Sequence, residues 1–393
     1  MLHRRIAAAR QETLEAIRSH YQRLYLPHAM LVPTARYGLY LIAKELLAPG
    51  DRVLISPVTC RTVISALLAA KTTPVFVDID TATGNIDASR LADSELNAAR
   101  AIVTTNLYGT PDQVHELKSI ATRRNLLLIE DCAHVLRTSV RGAEIGSVGD
   151  VSVFSFKKHF DEPGGVVCIR SENAAAKIQR RIATETYLPS AREEQLRFCQ
   201  FHLEKAIGSG LTRRFSSAYR HLRAGEHRAA KKPLAESISP PGMSLPTTAT
   251  LLRMAAFLKH WGNLIESRRT IARDLISNCI LSVKSAPGAD EVVFLAIPFF
   301  TEHRDAIAAQ LESHGIPIYF RYTPAMNRVF REGTERARNF DEGRIEHWCK
   351  SILPIQPRFG QQFLEILQQM AGNTVSSVPP SVLPAAERLS VGN

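Results

Sequence analysis

Leu126-Leu127-Leu128-Ile129-Glu130-Asp131, Val151-Ser152-Val153-Phe154-Ser155 and Val166-Val167-Cys168-Ile169 are the stretches that decide the fold. Each is an almost unbroken apolar run that ends at or near polar residues. Such runs suit strands covered on both faces, whereas a half-exposed strand alternates. Working outward, residues 51–56, 74–78 and 101–106 read as three more strands of the same kind. Helical stretches fall between them over 61–70 and 112–124, with Asp112 as the expected N-cap after Pro111. Strands alternating with helices predict a large α/β domain with a mostly parallel sheet between helices.

The rest of the chain changes character. Residues 173–230 read as helical and basic, and 231–242 as a turn-rich crossing. Residues 248–279 read as helical, and 291–297 as an apolar strand. A helix over 304–314 should stop at Gly315 in a left-handed C-cap, with a strand over 316–319 beyond it. A strand near 351–354 and a helix over 361–370 complete a smaller α+β domain. The expected division is 1–245, including an N-terminal helix and the basic segment of about 177–232; 246–372; and a disordered tail over 373–393. The opening residues lack acids as a transit peptide does, but Glu12 and Glu15 continue the same helical pattern, which favours an ordinary amphipathic helix.

Composition excludes several classes. The 393 residues are 45% hydrophobic and 22% charged, which is too apolar for a disordered chain. No apolar run reaches the roughly 18 residues of a spanning helix. The six cysteines are scattered, so the sequence offers no CxxC pair, no zinc knuckle and no disulfide scaffold. No metal site is expected, and a reducing cytoplasm fits. The net charge is +11, and 13 Lys and Arg against 5 Asp and Glu between Lys177 and Lys232 carry most of it. That segment reads either as a solvated helical face or as a field for phosphorylated substrates. Without zinc-finger spacing or an aromatic RNP-like strand it does not predict nucleic-acid binding, and membrane contact is not expected.

In an open α/β sheet, ligands bind beyond the carboxyl ends of the strands, where loops and helix N-termini converge. The residues at those places are Asp131, Ser155 with Lys158, Thr59 with Cys60, and Arg36 with Tyr37. An acid, a lysine, hydroxyls and helix N-termini around one crevice can hold a phosphorylated aromatic cofactor by both ends.

Several pieces then recur in a familiar order: Ala48-Pro49-Gly50-Asp51, Pro74-Val75-Phe76-Val77-Asp78, Asn106-Leu107-Tyr108-Gly109, Glu130-Asp131-Cys132-Ala133-His134, Gly146-Ser147-Val148-Gly149-Asp150, Phe154-Ser155-Phe156 and Gly164-Gly165. In this order they resemble the DegT/StrS-type family, which are pyridoxal phosphate (PLP)-dependent sugar aminotransferases of fold type I. The resemblance implies a Schiff-base lysine shortly after Ser155. Lys158 fits best, and Lys157 stays open because the loop to Gly164 is about a residue short. It further implies Asp131 against the pyridine nitrogen, His134 near the phenolic oxygen, and Ser155 with the Arg36 and Tyr37 amides around the phosphate. Cys60 stands where the family often stacks an aromatic on the ring. Arg321 and Tyr322 are the implied substrate contacts, Arg321 to a carboxylate or phosphate.

The implied activity moves an amino group from an amino acid, glutamate by resemblance, to a keto group on a nucleotide-linked sugar, within a homodimer. Two alternatives stay open at this level. His159 beside Lys158 leaves room for PLP-dependent sugar dehydration, where a histidine replaces the lysine. The missing stacking aromatic leaves room for a degenerate, noncatalytic PLP-fold partner protein.

Overall fold

The computed structural model describes residues 2–207, 243–279, 281–283, 292–318 and 322–374. Helix α1 (Leu2–Leu24) buries Ile6, Thr13, Ile17 and Tyr21, the inner stripe of the amphipathic helix expected there. An eight-stranded sheet follows. It is built from β1 (His28–Val32), β2 (Arg52–Ile55), β3 (Thr73–Phe76), β4 (Ala99–Thr104), β5 (Leu127–Asp131), β8 (Val151–Ser155), β9 (Gly165–Ile169) and β14 (Glu335–Arg336). The order is β1-β9-β8-β5-β4-β2-β3-β14. Only β9 runs antiparallel to its neighbours; every other pairing is parallel. The short hairpin β6 (Ser139–Val140) and β7 (Ala143–Glu144) stands outside this sheet.

The side-chain alternation explains the apolar runs. Leu54, Ile102, Leu128, Phe154 and Cys168 enter one core, which α1 and α5 (Val114–Arg124) cover. Val53, Ile55, Val103, Ile129, Val153 and Ile169 enter the other, beneath α2 (Ala35–Leu46), α3 (Arg61–Ala69) and α7 (Glu172–Glu185). A strand apolar on both faces shows no alternation in sequence. The α/β architecture expected from the sequence is the one observed.

One buried acid holds a loop in place. The Glu130 carboxylate accepts the backbone N–H groups of Gly146, Val148 and Gly149 at 2.8, 2.9 and 2.6 Å. A side chain at Gly149 would meet Leu128 O at 2.9 Å and Glu130 Cγ at 3.0 Å, so only glycine fits. The Gly146-Ser147-Val148-Gly149 segment is therefore a carboxylate cradle that seats the turn between β5 and β8.

Several expectations need correction. Asp112 does not cap α5; the N-cap is Gln113, and the buried Asp112 carboxylate accepts Thr105 N–H instead. Residues 292–296 are not a strand. Leu295 donates to Tyr108 O and Val293 to Thr138 Oγ1, so their apolar character reflects burial along the large domain. The strand β13 (Ile297–Phe300) begins where the predicted one ends, and it pairs with β12 (Ser282–Val283) and β15 (Ile352–Ile355). Residues 316–318 form no strand, although Gly315 does take the expected left-handed conformation, at φ 79°.

The basic stretch carries α7, then β10 (Thr186–Tyr187) paired with β11 (Met243–Ser244), then α8 (Ala191–Ile207). Its continuation over 208–242 lies outside the described residues, as does the proposed tail from 375. The helical stretch after 248 is two helices, Thr248–Lys259 and Trp261–Asn278, meeting at His260. Leu251, Met254, Trp261 and Ile265 belong to the core of the large sheet, whereas Ala272 and Leu275 join Phe299, Leu353 and Phe363 in the second core. The cores change over within the helix Trp261–Asn278, not at the expected boundary of 245.

Replacing Glu130 with Ala leaves three buried amides without an acceptor, and each unpaired buried group costs about 1–3 kcal/mol. Guanidinium unfolding should therefore show Glu130→Ala less stable by about 3 kcal/mol or more. An unchanged midpoint would show that the cradle contributes nothing.

Candidate active site

Strands β8, β5, β4 and β2 are adjacent and parallel, so their carboxyl ends open on one edge of the sheet. Asp131 is the last residue of β5, and Ser155 the last of β8. The chain leaves β8 directly into the single turn α6 (Phe156–Phe160). On a helix, neighbours point about 100° apart, so only one of Lys157 and Lys158 can face the crevice. Lys157 points outward and pairs with Asp161. Lys158 is half-buried and shares its electrostatic environment with Asp131 and Cys60.

The two charges are tuned by their surroundings. Burial pulls the Lys158 pKa down, against the opposing pull of Cys60 and Asp131. Burial pushes Asp131 up to about 6, while the Ala133 N–H (2.9 Å) and Lys158 hold it back. A carboxylate and an amine brought close together out of water are arranged to meet a third, charged group.

Around Asp131 the backbone is constrained. Asn106 donates from Nδ2 to Asp131 O at 3.1 Å and accepts Asp112 N–H at 3.0 Å. Asn106 and Tyr108 both adopt the left-handed region, at φ 44° and 59°, and so does Tyr322 at φ 49°. Such conformations outside glycine concentrate where function requires them. His134 is buried, and its Nδ1 accepts Tyr108 N–H at 3.1 Å. Its proton therefore lies on Nε2, which faces the Tyr322 hydroxyl at 3.4 Å. Burial, Lys158 and His159 together keep His134 neutral.

The other predicted residues divide. Thr59 is buried beside Cys60, and Cys60 is the N-cap of α3, its Sγ 3.1 Å from Thr62 Oγ1. Ser155 is the N-cap of α6, yet its hydroxyl makes no capping bond. The Tyr37 amide is not available for an anion, because the Thr34 hydroxyl accepts it at 3.1 Å; the Tyr37 ring turns to Glu185 (3.1 Å). Arg36 remains, with its amide in the first turn of α2 and its Nε enclosed without a hydrogen-bond partner among the described residues. Gly164 bridges to Thr34, and a side chain at Gly165 would come within 3.0 Å of Ala35 N. The glycine pair is what lets β9 approach the start of α2. Tyr322 reaches the site through His134, whereas Arg321 lies outside the described residues.

Arg268 escaped the sequence. Asn106 was legible only as part of a motif, and His159 only as the neighbour of Lys158. The contact between His159 and Arg268, at 2.6 Å, carries no sequence signal because it spans 109 residues. Among the described residues there is no cluster of metal-ligating side chains and no helix long and apolar enough to cross a membrane.

Removing the Asp131 charge should stabilise the unliganded protein at neutral pH. Its folded pKa, about 6, lies above the usual value of 3.8, so stability falls as pH rises from 3.8 to about 6 and the full cost remains above that. Asp131→Asn should be more stable than wild type at pH 7.5 by up to about 3 kcal/mol, with most of the gain gone by about pH 4. Chemical unfolding across that range would refute the assignment if the two proteins differed equally at every pH.

Known proteins share part of this sequence and most of this fold. The DegT/DnrJ/EryC1/StrS aminotransferase family matches residues 27–192. The chain is 32% identical over 156 residues to the spore coat polysaccharide biosynthesis protein SpsC of Bacillus subtilis strain 168, a stretch covering 39% of this chain and 40% of that protein. It is 32% identical over 133 residues to the GDP-perosamine synthase of Escherichia coli O157:H7, covering 34% of this chain and 36% of that one. The matched stretches thus span well under half of these relatives. The fold match is longer: a DegT DnrJ EryC1 StrS aminotransferase from Brucella abortus superposes with a TM-score of 0.67 over 94% of this chain and 96% of that one, at 16% identity. Residues 27–192, the segment that carries Arg36, Cys60, Asp131, His134, Ser155 and Lys158, are thus similar to the DegT/DnrJ/EryC1/StrS aminotransferase family, and the whole chain shares its fold with solved aminotransferases.

Proposed function

We propose that the chain is a PLP-dependent aminotransferase that moves an amino group from an amino acid, glutamate in this reading, to the keto group of a nucleotide-linked sugar. The observation that carries it is that Lys158 and Asp131 act on each other electrostatically at the carboxyl edge of the sheet while Lys157 points to solvent. The printed names of the relatives, a GDP-perosamine synthase among them, support a sugar as acceptor.

The residues present fit PLP. Asp131 is a buried carboxylate whose ionised form needs a cation, which a protonated pyridine nitrogen supplies. Lys158 is an amine whose burial favours the unprotonated, nucleophilic form. Ser155 Oγ, the Arg36 amide and the Arg36 Nε are the donors for the phosphate. When bound, PLP supplies an electron sink that acidifies the carbon bearing the amino group.

The protein's own contribution is then specific. Asp131 keeps the ring cationic, and the Asn106 bond to its carbonyl fixes where its carboxylate points. Lys158 Nζ, once free, takes a proton from substrate carbon and returns it. His134, fixed as the Nε2–H tautomer by Tyr108, offers a donor and not a base. Tyr322 closes the site from the second domain through its contact with His134.

Dehydration through His159 finds no support in the geometry. Arg268 can only donate, so His159 Nδ1 accepts, and Nε2–H donates to His134 O at 3.0 Å. Neither ring nitrogen is left to replace a lysine. A homodimer in the cytoplasm completes the proposal.

Adding PLP to the purified protein should produce a visible absorption band that bleaches on addition of glutamate. Lys158→Ala should lose the band and lower turnover by at least about 10³-fold, whereas Lys157→Ala should keep both. A band insensitive to glutamate would point to another donor. No band at all would leave a binding-only role.

A further inference from the structure

Arg268 packs against the Lys158 turn through His159, and it has an unusual set of partners. It comes from the helix Trp261–Asn278, at the change-over between the two cores. Its NH1 donates to His159 Nδ1 at 2.6 Å and its NH2 to His159 O at 3.4 Å. No carboxylate of the described residues pairs with it, and burial pulls its pKa down. A guanidinium drawn partly out of water without a counter-charge is costly. Such a group persists where what it holds matters.

What it holds is a chain of three bonded groups. Arg268 fixes the His159 ring and backbone. His159 Nε2–H then donates to His134 O, on the loop that follows Asp131. His134 in turn receives Tyr108 N–H and faces Tyr322. Burial and the Arg268 charge take His159 down to about 3, so the ring stays neutral and its tautomer does not switch near neutral pH. Lys158 is the residue immediately before His159, on the same single helical turn. A five-residue helix is too short to hold its own geometry. At its far end Phe160 is pinned apolarly between Phe257 (4.9 Å between centroids) and Trp261 (6.0 Å). The polar clamp on His159 and the apolar clamp on Phe160 are what fix the turn.

We propose that Arg268 is a positioning residue for Lys158: through His159 it locks the turn that carries the lysine onto the loop that carries His134, and so ties both to the helix Trp261–Asn278. This rests on the reading of Lys158 as the cofactor-binding lysine, but its test does not require the cofactor. Among the described residues, groups that act on Lys158 or feel its charge include Asp131 at the end of β5, Cys60 at the start of α3, His134, and its neighbour His159.

The test is reductive methylation of the PLP-free protein at pH 7 with formaldehyde and cyanoborohydride, read peptide by peptide, with Lys157 as internal reference. In wild type the desolvated Lys158 should react at least about threefold faster than the solvated, ion-paired Lys157. In Arg268→Ala the turn loosens, Lys158 hydrates, and the ratio should fall to about one. Phe160→Leu serves as a control that weakens the apolar clamp and leaves Arg268 in place; it should keep most of the excess. Separately, Arg268→Ala should capture PLP at least about tenfold more slowly, with a melting temperature lowered by only a few degrees.

An Arg268→Ala protein with lowered melting temperature but an unchanged Lys158 to Lys157 ratio would make Arg268 merely structural and overturn the proposal. If wild type shows the excess reactivity and Arg268→Ala loses it, yet neither captures PLP, the positioning role stands and the aminotransferase reading fails. Equal loss of the excess in Arg268→Ala and Phe160→Leu would assign the turn to general packing and also overturn it.

Discussion

The site depends on the burial of one carboxylate. Asp131 ends a central strand, is buried there, and is held up to about 6 by that burial. A carboxylate in that position is costly while it stands alone, and the cost falls when a cation arrives. Lys158 is a cation whose charge acts on Asp131, yet burial weakens its own charge as well. Two groups that each resist ionisation, set side by side, leave the crevice favourable for a ligand that brings its own positive centre and its own electrophile. The cradle around Glu130, the Asn106 bond to Asp131 O and the left-handed turns at Asn106 and Tyr108 follow from holding that one strand end still.

The second domain is built into the same constraint. Its helix Trp261–Asn278 starts in the core of the sheet and ends in the core of the smaller domain. Tyr322 meets His134, Arg268 meets His159, and residues 293–295 hydrogen-bond to Thr138 and Tyr108. These contacts converge on the loops after β4 and β5 and the turn after β8. The carboxyl edge of the large sheet is thus supported by residues more than a hundred positions further along the chain.

Physical reasons separate what could be read in the sequence from what could not. The central strands were legible because burial on both faces writes continuous apolar runs, and strand ends then point to Asp131 and Ser155 without further help. The choice between Lys157 and Lys158 was not legible, since adjacent residues differ only in the direction a single helical turn gives them. Residues 292–296 misled for the converse reason: they are apolar because they are covered, and their hydrogen bonds go to a loop and a threonine instead of a ladder. Asp112 looked like a cap because caps and tertiary acceptors are made by the same residue type. The Thr34 cap that occupies the Tyr37 amide, and the Arg268–His159 bond, depend on three-dimensional closure that no local pattern encodes.

The central claim is that Asp131 and Lys158 hold one cofactor between them. A crystal structure of the protein grown with PLP tests it most directly. The account predicts the pyridine nitrogen within hydrogen-bond distance of the Asp131 carboxylate, density continuous from Lys158 Nζ to the cofactor, and the phosphate beside Ser155 and the start of α2. Density continuous with Lys157, or PLP bound away from Asp131, would contradict it.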